Sequence, residues 1–520
     1  MVLVSTCSLV STWSLSTTWT LWSSWSFSCS VSPWSSLSVM SGMDDWLQRV
    51  TVPSWWTAHR RLRMATDCSG IGVPEIALQM VGERVGTGVD HLWTCDIFKP
   101  SQKWLQGLLG EHTLLADMME RRYDATSGAF TATDIEGNQH TFRKDDRLDI
   151  YVCGFMCTPF TKSGTRLSWE HEDADTFWGT MKTILAVQPR SFVLENVISI
   201  HDRYSKPGLD KALKCLEKEY LLVPIRCDSH WFGVPQRRAR FYFVGVRHEE
   251  LDPKYAGKST KTLSQFVEKK VRRFRTCTED PSTKFDFLEF LRVEGLPVRM
   301  GQSSSESEES SMSSESMPCM CAVGAHCLAH PCKCSFCKKH GQHAKKCRWR
   351  INHREYSRLQ STKKKRRDYL KLWRRVKNDN TLKKAPDYFC LAARRGIDTM
   401  SPRCPRQRVA LQELSYERNL FTPSTILNLG KSFGRCQIRA DGLVPTLGKG
   451  CLGFFLPAYA SYLTVDQLLC LSGLSPQQCK ICYDLAKYQK NNDMDWMLGN
   501  TMTLSVVGPV LMVTLGMLRP

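Results

Sequence analysis

The sequence predicts an α/β protein built on a mostly parallel sheet. Between residues 63 and 246, short apolar runs alternate with segments of helical periodicity, the pattern of repeated strand–helix units. The clearest predicted strands are residues 149–152, 191–194 and 239–246. The last of these is almost continuously apolar, as expected for a strand buried on both faces. Regular patterning returns over residues 442–518, so an insertion is predicted to interrupt the core. Within this return, Thr464 is the expected cap at the start of a helix, and the apolar run 504–515 suits a core helix or strand.

Composition divides the chain into four predicted regions. Residues 1–43 contain no charged side chain and are rich in Ser, Thr and Trp, which predicts a disordered leader or a true start near Met40 or Met43. The core is predicted to begin with residues 44–250 and to end with residues 441–520. The region between them, residues 251–440, includes a Ser/Glu linker (303–316), a Cys/His cluster (319–347) and a basic stretch (338–377).

Charge and cysteine usage narrow the class of protein. The formal net charge is +20, and residues 338–377 hold 17 Lys and Arg against two acids, which favours a nucleic-acid partner over a solvated basic tail. The 23 cysteines are unevenly spaced, which favours metal binding in a reducing compartment over a secreted disulfide framework. No apolar run is long enough to span a membrane, and no membrane partner is expected.

A cysteine in a turn is the first candidate for chemistry. Cys157 follows the predicted strand 149–152 after a glycine, which places it at the carboxyl edge of the sheet, where ligands collect. A buried structural cysteine is the competing interpretation. Cys153 is the rival nucleophile, but it lies before the glycine turn and is expected in the core.

A glycine turn is the second candidate. Gly70 and Gly72 precede a helical pattern that starts near Val73, and such a turn lets a ligand approach the backbone closely. Asp96 follows the next apolar run and suits a carboxylate that contacts the ribose hydroxyls of a nucleotide-like cofactor. A solvated acid in a strand-end turn fits the spacing equally well.

Taken together, these motifs resemble those of the DNA (cytosine-5) methyltransferase family. The nucleophile motif corresponds to residues 154–164 with Cys157, the Glu-Asn-Val motif to residues 195–197, and the Gln-x-Arg-x-Arg motif to residues 236–240. The glycine turn and a Gly-Asn pair at residues 499–500 complete the order. The resemblance covers residues 63–247 and 442–518. It implies a Rossmann-like methyltransferase core with a smaller target-recognition domain inserted before the C-terminal return.

The resemblance also implies a mechanism and its residues. Cys157 would attack C6 of a flipped cytosine as a thiolate whose pKa nearby cations lower, and C5 would take methyl from S-adenosylmethionine. Glu195 would hydrogen-bond the base, and Arg238 and Arg240 would hold it. A capping carboxylate and a strand-edge ion pair are the structural alternatives for these residues. The residues implied at the cofactor are Cys68, Ser69, Gly70, Ile71, Gly72, Asp96, Asn500 and Asp117, with Asp134 as a second choice for Asp117.

Three positions depart from the family pattern. Met156 replaces the proline before the nucleophile, which leaves the turn less rigidly preset. Thr158 follows Cys157 where many members have Gln. In the glycine motif Cys68 replaces an aromatic residue, and the acid Asp67 stands one place closer to the glycines than expected.

The Cys/His cluster predicts structural zinc. Its spacing offers four ligands for one tetrahedral site and enough cysteines for a second, whereas unpaired reduced cysteines are the alternative. The candidate ligands are Cys319, Cys321, Cys327, Cys332, Cys334, Cys337, His340, His343 and Cys347.

Three functions remain in competition. Duplex DNA is the expected substrate, since the insertion falls in the family's target-recognition region and its basic stretch suits phosphate binding. The alternatives to a DNA methyltransferase are a tRNA cytosine methyltransferase of the same fold and a zinc-dependent DNA-binding protein with a decayed core.

Residues 363–367 predict nuclear import.

Overall fold

A computed structural model describes most of the predicted core. It describes residues 45–57, 59–124, 126–161, 168–202, 204–255, 257–276, 286–298, 424–430, 438–459 and 461–520. The leader, the Ser/Glu linker, the Cys/His cluster and the basic stretch all lie outside the described residues. The predictions made for those four segments therefore remain predictions.

The described residues form short strands and helices in alternation through the first half of the core. The strands are β1 (Leu62–Asp67), β2 (Val89–Cys95), β3 (Leu114–Leu115), β4 (Arg122–Asp124), β5 (Ala129–Thr133), β6 (Gln139–Arg143), β7 (Ile150–Cys153), β8 (Ser191–Val197), β9 (Tyr220–Asp228), β10 (Ala239–Arg247), β11 (Ile426–Asn428), β12 (Ile438–Arg439), β13 (Phe454–Leu456) and β14 (Ser461–Tyr462). The helices are α1 (Asp45–Arg49), α2 (Val73–Arg84), α3 (Lys99–Leu109), α4 (Asp175–Val187), α5 (Lys206–Leu216), α6 (Thr260–Arg272), α7 (Phe287–Val293), α8 (Val465–Cys470), α9 (Lys480–Ala486), α10 (Asn491–Asn500) and α11 (Leu504–Leu515).

A seven-stranded sheet forms the centre, in the order β3-β2-β1-β7-β8-β10-β9. Every neighbouring pair from β3 to β8 is parallel, whereas β10 is antiparallel to both β8 and β9. The α/β class and the mostly parallel sheet are therefore confirmed. The three clearest predicted strands correspond to β7, β8 and β10, although the sequence did not predict the reversed direction of β10.

Two smaller sheets are absent from the sequence prediction. Strands β4, β5 and β6 form an antiparallel meander between β3 and β7. Strands β11 to β14 form an antiparallel sheet in the order β12-β11-β13-β14. Several of these strands are only two or three residues long, too short to show a periodic pattern.

Both faces of the central sheet are covered by apolar packing, as a parallel sheet requires. Successive residues of β7 alternate between the two cores: Ile150 and Val152 pack on the face that holds α2 and α11, whereas Tyr151 and Cys153 pack on the face that holds α4 and α5. Helix α6 lies against β9 and α11, so residues beyond 250 also contact the core.

The C-terminal return completes the core. Thr464 caps α8 with a reciprocal capping box to Gln467, which confirms the predicted helix start. Helix α11 is almost wholly buried, packs against α2, and settles residues 504–515 as a core helix. Within the described ranges no single helix is long and apolar enough to cross a membrane, and only the bent pair of α10 and α11 together reaches that length and composition.

A buried ion pair ties β1 to the segment after β3. The two carboxylate oxygens of Asp67 accept hydrogen bonds from both terminal nitrogens of Arg121, and both side chains are completely buried. The Tyr151 hydroxyl and the Trp93 indole also donate to Asp67. This network accounts for the displaced acid of the glycine motif, because Asp67 points into the core and satisfies a buried guanidinium.

We expect loss of this pair to be costly. An Asp67→Asn variant leaves the Arg121 charge buried without a counter-charge and should lower the free energy of unfolding by about 3–5 kcal/mol. Urea unfolding of the full chain measures the change. The matched control is Asp90→Asn, which breaks the exposed Arg61–Asp90 pair and should cost less than about 1 kcal/mol. Equal losses in the two variants would contradict a structural role for the buried pair.

Candidate active site

The turn after β7 holds Cys157 at the carboxyl edge of the sheet. The strand ends at Cys153, and Cys157 caps a short 3-10 turn four residues further on. The Asn196 side chain donates a hydrogen bond to the carbonyl of Phe155 (2.9 Å), and the Met156 amide donates to the Thr176 hydroxyl (3.2 Å). These two bonds fix the turn, so the missing proline is replaced by contacts from β8 and α4.

The two cysteines of the segment lie in different surroundings. Cys153 is completely buried and its sulfur lies 3.2 Å from the Thr180 hydroxyl, which confirms its expected place in the core. Cys157 is partly exposed and lines a pocket. The pocket is lined by Cys68, Gly70, Asp96, Ile97, Gly154, Phe155, Met156, Cys157, Glu195, Arg238, Arg240, Trp496, Gly499 and Asn500.

Glu195 and Arg240 form an ion pair in that pocket. Glu195 lies on β8 opposite Tyr242 of β10. Arg240 lies two residues before Tyr242, opposite Val197. The Nε atom of Arg240 is 2.9 Å from Oε1 of Glu195. That oxygen makes no well-formed hydrogen bond to any described residue. The pair therefore places a carboxyl group with spare hydrogen-bonding capacity beside the cysteine.

Arg238 differs from Arg240 in its contacts. Its guanidinium is buried and donates to the carbonyls of Leu447 (2.8 Å) and Gly499 (3.5 Å), both in the C-terminal return. Burial, with the neighbouring charge of Arg240, lowers the pKa of Arg238 to about 10. The described contacts of Arg238 thus hold the return against the sheet, while its side chain still lines the pocket.

The expected lowering of the Cys157 pKa is wrong for this structure. Burial raises the pKa of the thiol above its usual value, and the Glu195 carboxylate adds to the increase. Arg240 and Arg238 act in the opposite direction but do not outweigh burial. The neighbouring cations were predicted from the sequence, whereas the desolvation of the thiol was not, because desolvation depends on packing.

The glycine turn starts at Cys68, two residues before its first glycine. Cys68, Gly70 and Gly72 all have positive φ, with values of 51°, 59° and 74°. At Gly72 an added Cβ would lie 2.7 Å from the Leu108 side chain, so only glycine fits there. Cys68 adopts the left-handed conformation without being glycine, and its sulfur contacts Met118 at 3.8 Å.

Asp96 closes the turn from the neighbouring strand. It follows β2 directly, and its two oxygens accept from the amides of Gly70 and Phe98, each at 2.8 Å. Burial raises the pKa of this carboxyl to about 6. Asp96 therefore lies where the sequence predicted, at the pocket beside the glycine turn.

Apart from Asn500, the remaining residues predicted at the cofactor do not line this pocket. Ser69 and Ile71 point inward: the Ser69 hydroxyl bonds the carbonyl of Cys95, and Ile71 is completely buried. Asp117 caps a short turn through the Met119 amide (2.8 Å) and is not among the pocket-lining residues. Asp134 accepts four hydrogen bonds from the β5–β6 turn and from His140 of β6. Desolvation raises the pKa of Asp134, but these bonds outweigh it and lower the pKa to about 2.

The C-terminal return supplies one wall of the pocket. At Gly499 an added Cβ would lie 2.7 Å from backbone atoms of Gly448 and Lys449, so the Gly-Asn pair requires glycine for close approach. Asn500 is exposed at the end of α10 and lines the pocket. Trp496, which the sequence analysis did not single out, lines it as well and packs on Phe98 with ring centroids 4.2 Å apart.

A family model described as C-5 cytosine-specific DNA methylase matches residues 68–377, more than half of the chain. The chain belongs to this family. The match begins at the glycine turn and includes Cys157, Glu195, Arg238 and Arg240. It also extends into the insertion as far as residue 377, and so includes residues outside the described part of the chain.

Individual relatives match over shorter stretches. The chain is 28% identical over 132 residues to the type II methyltransferase M.HpaII of Haemophilus parainfluenzae, covering 25% of this chain and 37% of that protein. It is 32% identical over 127 residues to M.NgoBI of Neisseria gonorrhoeae, covering 24% and 38%. The DNA (cytosine-5-)-methyltransferase DMT5 of Cryptococcus neoformans is 23% identical over 238 residues, covering 43% and 9%. The chain thus spans less than two fifths of the length of each of these relatives.

Solved structures give a weaker likeness. The S. pombe Dnmt2 methyltransferase superposes with a TM-score of 0.41 at 14% identity, covering 88% of this chain and 98% of that one. A Spodoptera frugiperda DNMT2 variant gives a TM-score of 0.40 at 12% identity, covering 87% and 99%.

The metal prediction is not tested by these residues. Within the described ranges no three or more His, Cys, Asp and Glu side chains come together in a way that could hold a metal ion. All nine predicted ligands, from Cys319 to Cys347, lie outside the described residues.

We expect the charge of Glu195 to control the reactivity of Cys157. A Glu195→Gln variant removes the carboxylate that raises the thiol pKa and frees Arg240 to stabilise the thiolate. Alkylation of Cys157 by iodoacetamide at pH 7.5 should therefore be faster by about three- to tenfold. Peptide mass spectrometry measures the rate at this cysteine, with the buried Cys153 as an internal control. An unchanged or slower rate would contradict the electrostatic coupling.

Proposed function

We propose that this chain is an S-adenosylmethionine-dependent DNA methyltransferase that modifies C5 of cytosine through a covalent adduct on Cys157. The observation that carries the proposal is the convergence of Cys157, Glu195 and Arg240 in one pocket with the glycine turn and Asp96. Strands far apart in the sequence contribute these groups. Family membership supports the reaction type, and the matched residues include side chains of suitable chemistry at Cys157, Glu195 and Arg240.

The cytosine end of the pocket supplies a nucleophile and a hydrogen-bonding carboxyl group. The Cys157 thiolate adds to C6 of the base, and the new S–C6 bond leaves C5 electron-rich. Glu195 hydrogen-bonds the ring nitrogen and exocyclic amine, which stabilises the charge displaced by the attack. After methyl transfer a base removes the C5 proton, and the S–C6 bond breaks to return the thiolate. A stacked base cannot reach this pocket, so the target must be flipped out.

The cofactor end fits a cationic ligand. S-adenosylmethionine supplies a methyl group on a sulfonium and leaves as a neutral thioether. The glycine turn gives close access to the backbone, and Asp96 provides a carboxylate that forms no ion pair with any described cation. Trp496 and Asn500, which belong to the C-terminal return, would contact the same ligand from the wall of the pocket that the return supplies. Donor set and charge therefore agree with the proposed cofactor.

Duplex DNA is the proposed substrate. It is supported by the family description and by relatives that are named DNA or type II methyltransferases. The basic stretch at 338–377 adds a predicted phosphate-binding segment. We propose that its residues 363–367 also direct nuclear import, on composition alone.

Trapping on a substituted base tests the reaction. When full-length protein is mixed with S-adenosylmethionine and duplex DNA that contains 5-fluorocytosine, a denaturation-resistant protein–DNA adduct should accumulate. The adduct persists because a C5 atom that carries fluorine has no proton for the base to remove. Gel mobility and mass spectrometry measure the amount of adduct. Cys157→Ser should abolish the adduct, whereas the matched Cys153→Ser should retain most of it.

The outcomes separate the competing functions. An equal loss of the adduct in the two variants would contradict the assignment of Cys157 as the nucleophile. A 5-fluorocytosine tRNA transcript tested in parallel would favour the tRNA methyltransferase if it alone were trapped. Cofactor binding without an adduct on either nucleic acid would favour a decayed core.

We propose that the Cys/His cluster binds structural zinc. The support is its donor set: seven cysteines with His340 and His343 within 29 residues, in a segment with few apolar side chains of its own. Thiolate and imidazole are the ligands that zinc prefers in such modules.

Metal analysis of the full chain tests the zinc proposal. Protein purified without added metal should carry about one or two equivalents of zinc by elemental mass spectrometry. A double variant Cys334→Ser, Cys337→Ser should lose at least one equivalent. The control Cys215→Ser, an exposed cysteine of α5, should keep the full content. Wild-type protein with no bound zinc after purification without chelators would overturn the proposal.

A further inference from the structure

Two buried carboxyl groups flank the glycine turn, and neither forms an ion pair with a described cation. Glu75 lies in the first turn of α2 and is completely buried, and Asp96 lies across the turn and is 6% exposed. The third acid of the region, Asp67, has its own counter-charge in Arg121. Uncompensated buried carboxylates are costly, so this arrangement favours a cationic ligand.

Glu75 is connected to the turn through two hydroxyl groups. One of its oxygens accepts a hydrogen bond from Thr66, whose hydroxyl lies 2.6 Å from that of Ser69. The Ser69 hydroxyl in turn bonds the carbonyl of Cys95 (3.2 Å). The second carboxyl oxygen of Glu75 has no hydrogen-bond partner among the described residues. It lies 3.7 Å from where a Cβ on Gly72 would be, directly beneath the turn.

This hydrogen-bond chain is consistent with either protonation state of Glu75. The protonated acid can donate to Thr66, which donates to Ser69, which donates to the Cys95 carbonyl. The ionised acid accepts from Thr66 instead, and its second oxygen is left facing the turn. Burial raises the pKa of Glu75 to about 7, with a further contribution from Asp96.

The surroundings of Glu75 supply little other charge. Helix α11, which packs against α2, has no titratable side chain. The lysines of α3, Lys99 and Lys103, are exposed, and on β1 the charge of Asp67 is balanced by Arg121. Asp96 after β2 is the charged group that acts on Glu75. A cation at the turn would therefore be felt mainly by these two acids.

We propose that Glu75 is a positioning residue that makes this pocket prefer the positively charged sulfonium cofactor over its neutral thioether product. The inference rests on the proposed function for its cofactor. The acid of β1, Asp67, is paired with Arg121, and Glu75 brings a second carboxyl group from the helix to the Thr66 hydroxyl. The charge acts through the turn and does not require direct contact with the ligand.

Binding should then be linked to the protonation of Glu75. A cation at the turn stabilises the ionised carboxylate, so its pKa falls and protons are released when the cofactor binds near pH 7. Affinity for the sulfonium form should rise as pH increases from 6 to 8. The thioether product lacks that charge, so its affinity should change less over the same range.

Calorimetry of the full chain tests the inference. S-adenosylmethionine and S-adenosylhomocysteine are titrated into wild type and Glu75→Gln at pH 6, 7 and 8, in two buffers of different ionisation enthalpy. We expect the ratio of the two affinities to fall about tenfold in Glu75→Gln, and proton release at pH 7 to be smaller than in wild type by the share that Glu75 contributes. Protonation of the cofactor's own amino group is common to both proteins and cancels in the difference. Glu75→Asp should keep the preference, and the exposed control Glu111→Gln should leave it unchanged.

Each outcome decides the matter. An equal loss of affinity for both ligands in Glu75→Gln would reduce Glu75 to a structural role and overturn the inference. Wild-type binding of both ligands with no proton release and no pH-dependent preference would overturn it alone, and leave the proposed function standing. If wild type binds neither ligand, the inference and the proposed cofactor fall together. Should Glu75→Gln not fold, Asp96→Asn takes its place: proton release that persists on sulfonium binding in that variant belongs to Glu75, and loss of the release there would overturn the inference.

Discussion

The antiparallel entry of β10 beside β8 is the constraint on which the candidate site depends. Because β10 runs against its neighbours, its first residues lie at the edge where the parallel strands end. That edge holds Glu195 at the end of β8 and Cys157 in the turn after β7. The backbone register places Arg240 opposite Val197, two residues beyond Glu195 on β8, and from there the Arg240 side chain reaches the Glu195 carboxylate.

The same segment fastens the C-terminal return to the sheet. Gln236 donates to the carbonyl of Leu471 (2.8 Å), Arg238 binds the carbonyls of Leu447 and Gly499, and the backbone of Arg237 pairs with Val444. These are buried bonds between segments more than 200 residues apart in the sequence. An insertion between them can change in length without moving the pocket, because its two ends are held by bonds that do not involve it.

The sequence was sufficient for the features that leave a local pattern. Strands β7, β8 and β10 were predicted from their apolar runs, and α8 from its capping residues. The positions of Cys157 and Cys153 followed from the glycine between them. The meander β4–β6 was missed because its strands are short and partly exposed, with no continuous apolar run. The pKa of Cys157, the contacts of Arg238, and the roles of Trp496 and Glu75 were missed because each depends on packing between distant segments.

The pocket separates its charges, and that separation fits the order of the proposed reaction. At the cofactor end, Glu75 and Asp96 are acids without a described cationic partner. At the base end, Arg240 is committed to Glu195, whose carboxylate opposes ionisation of the Cys157 thiol. A cytosine that shares a proton with Glu195 would neutralise that carboxylate. The positive charge of Arg240 would then stabilise the Cys157 thiolate without being offset by Glu195. The thiolate would then be favoured when a base is present and disfavoured in the empty pocket, which protects a partly exposed cysteine from reaction before its substrate arrives.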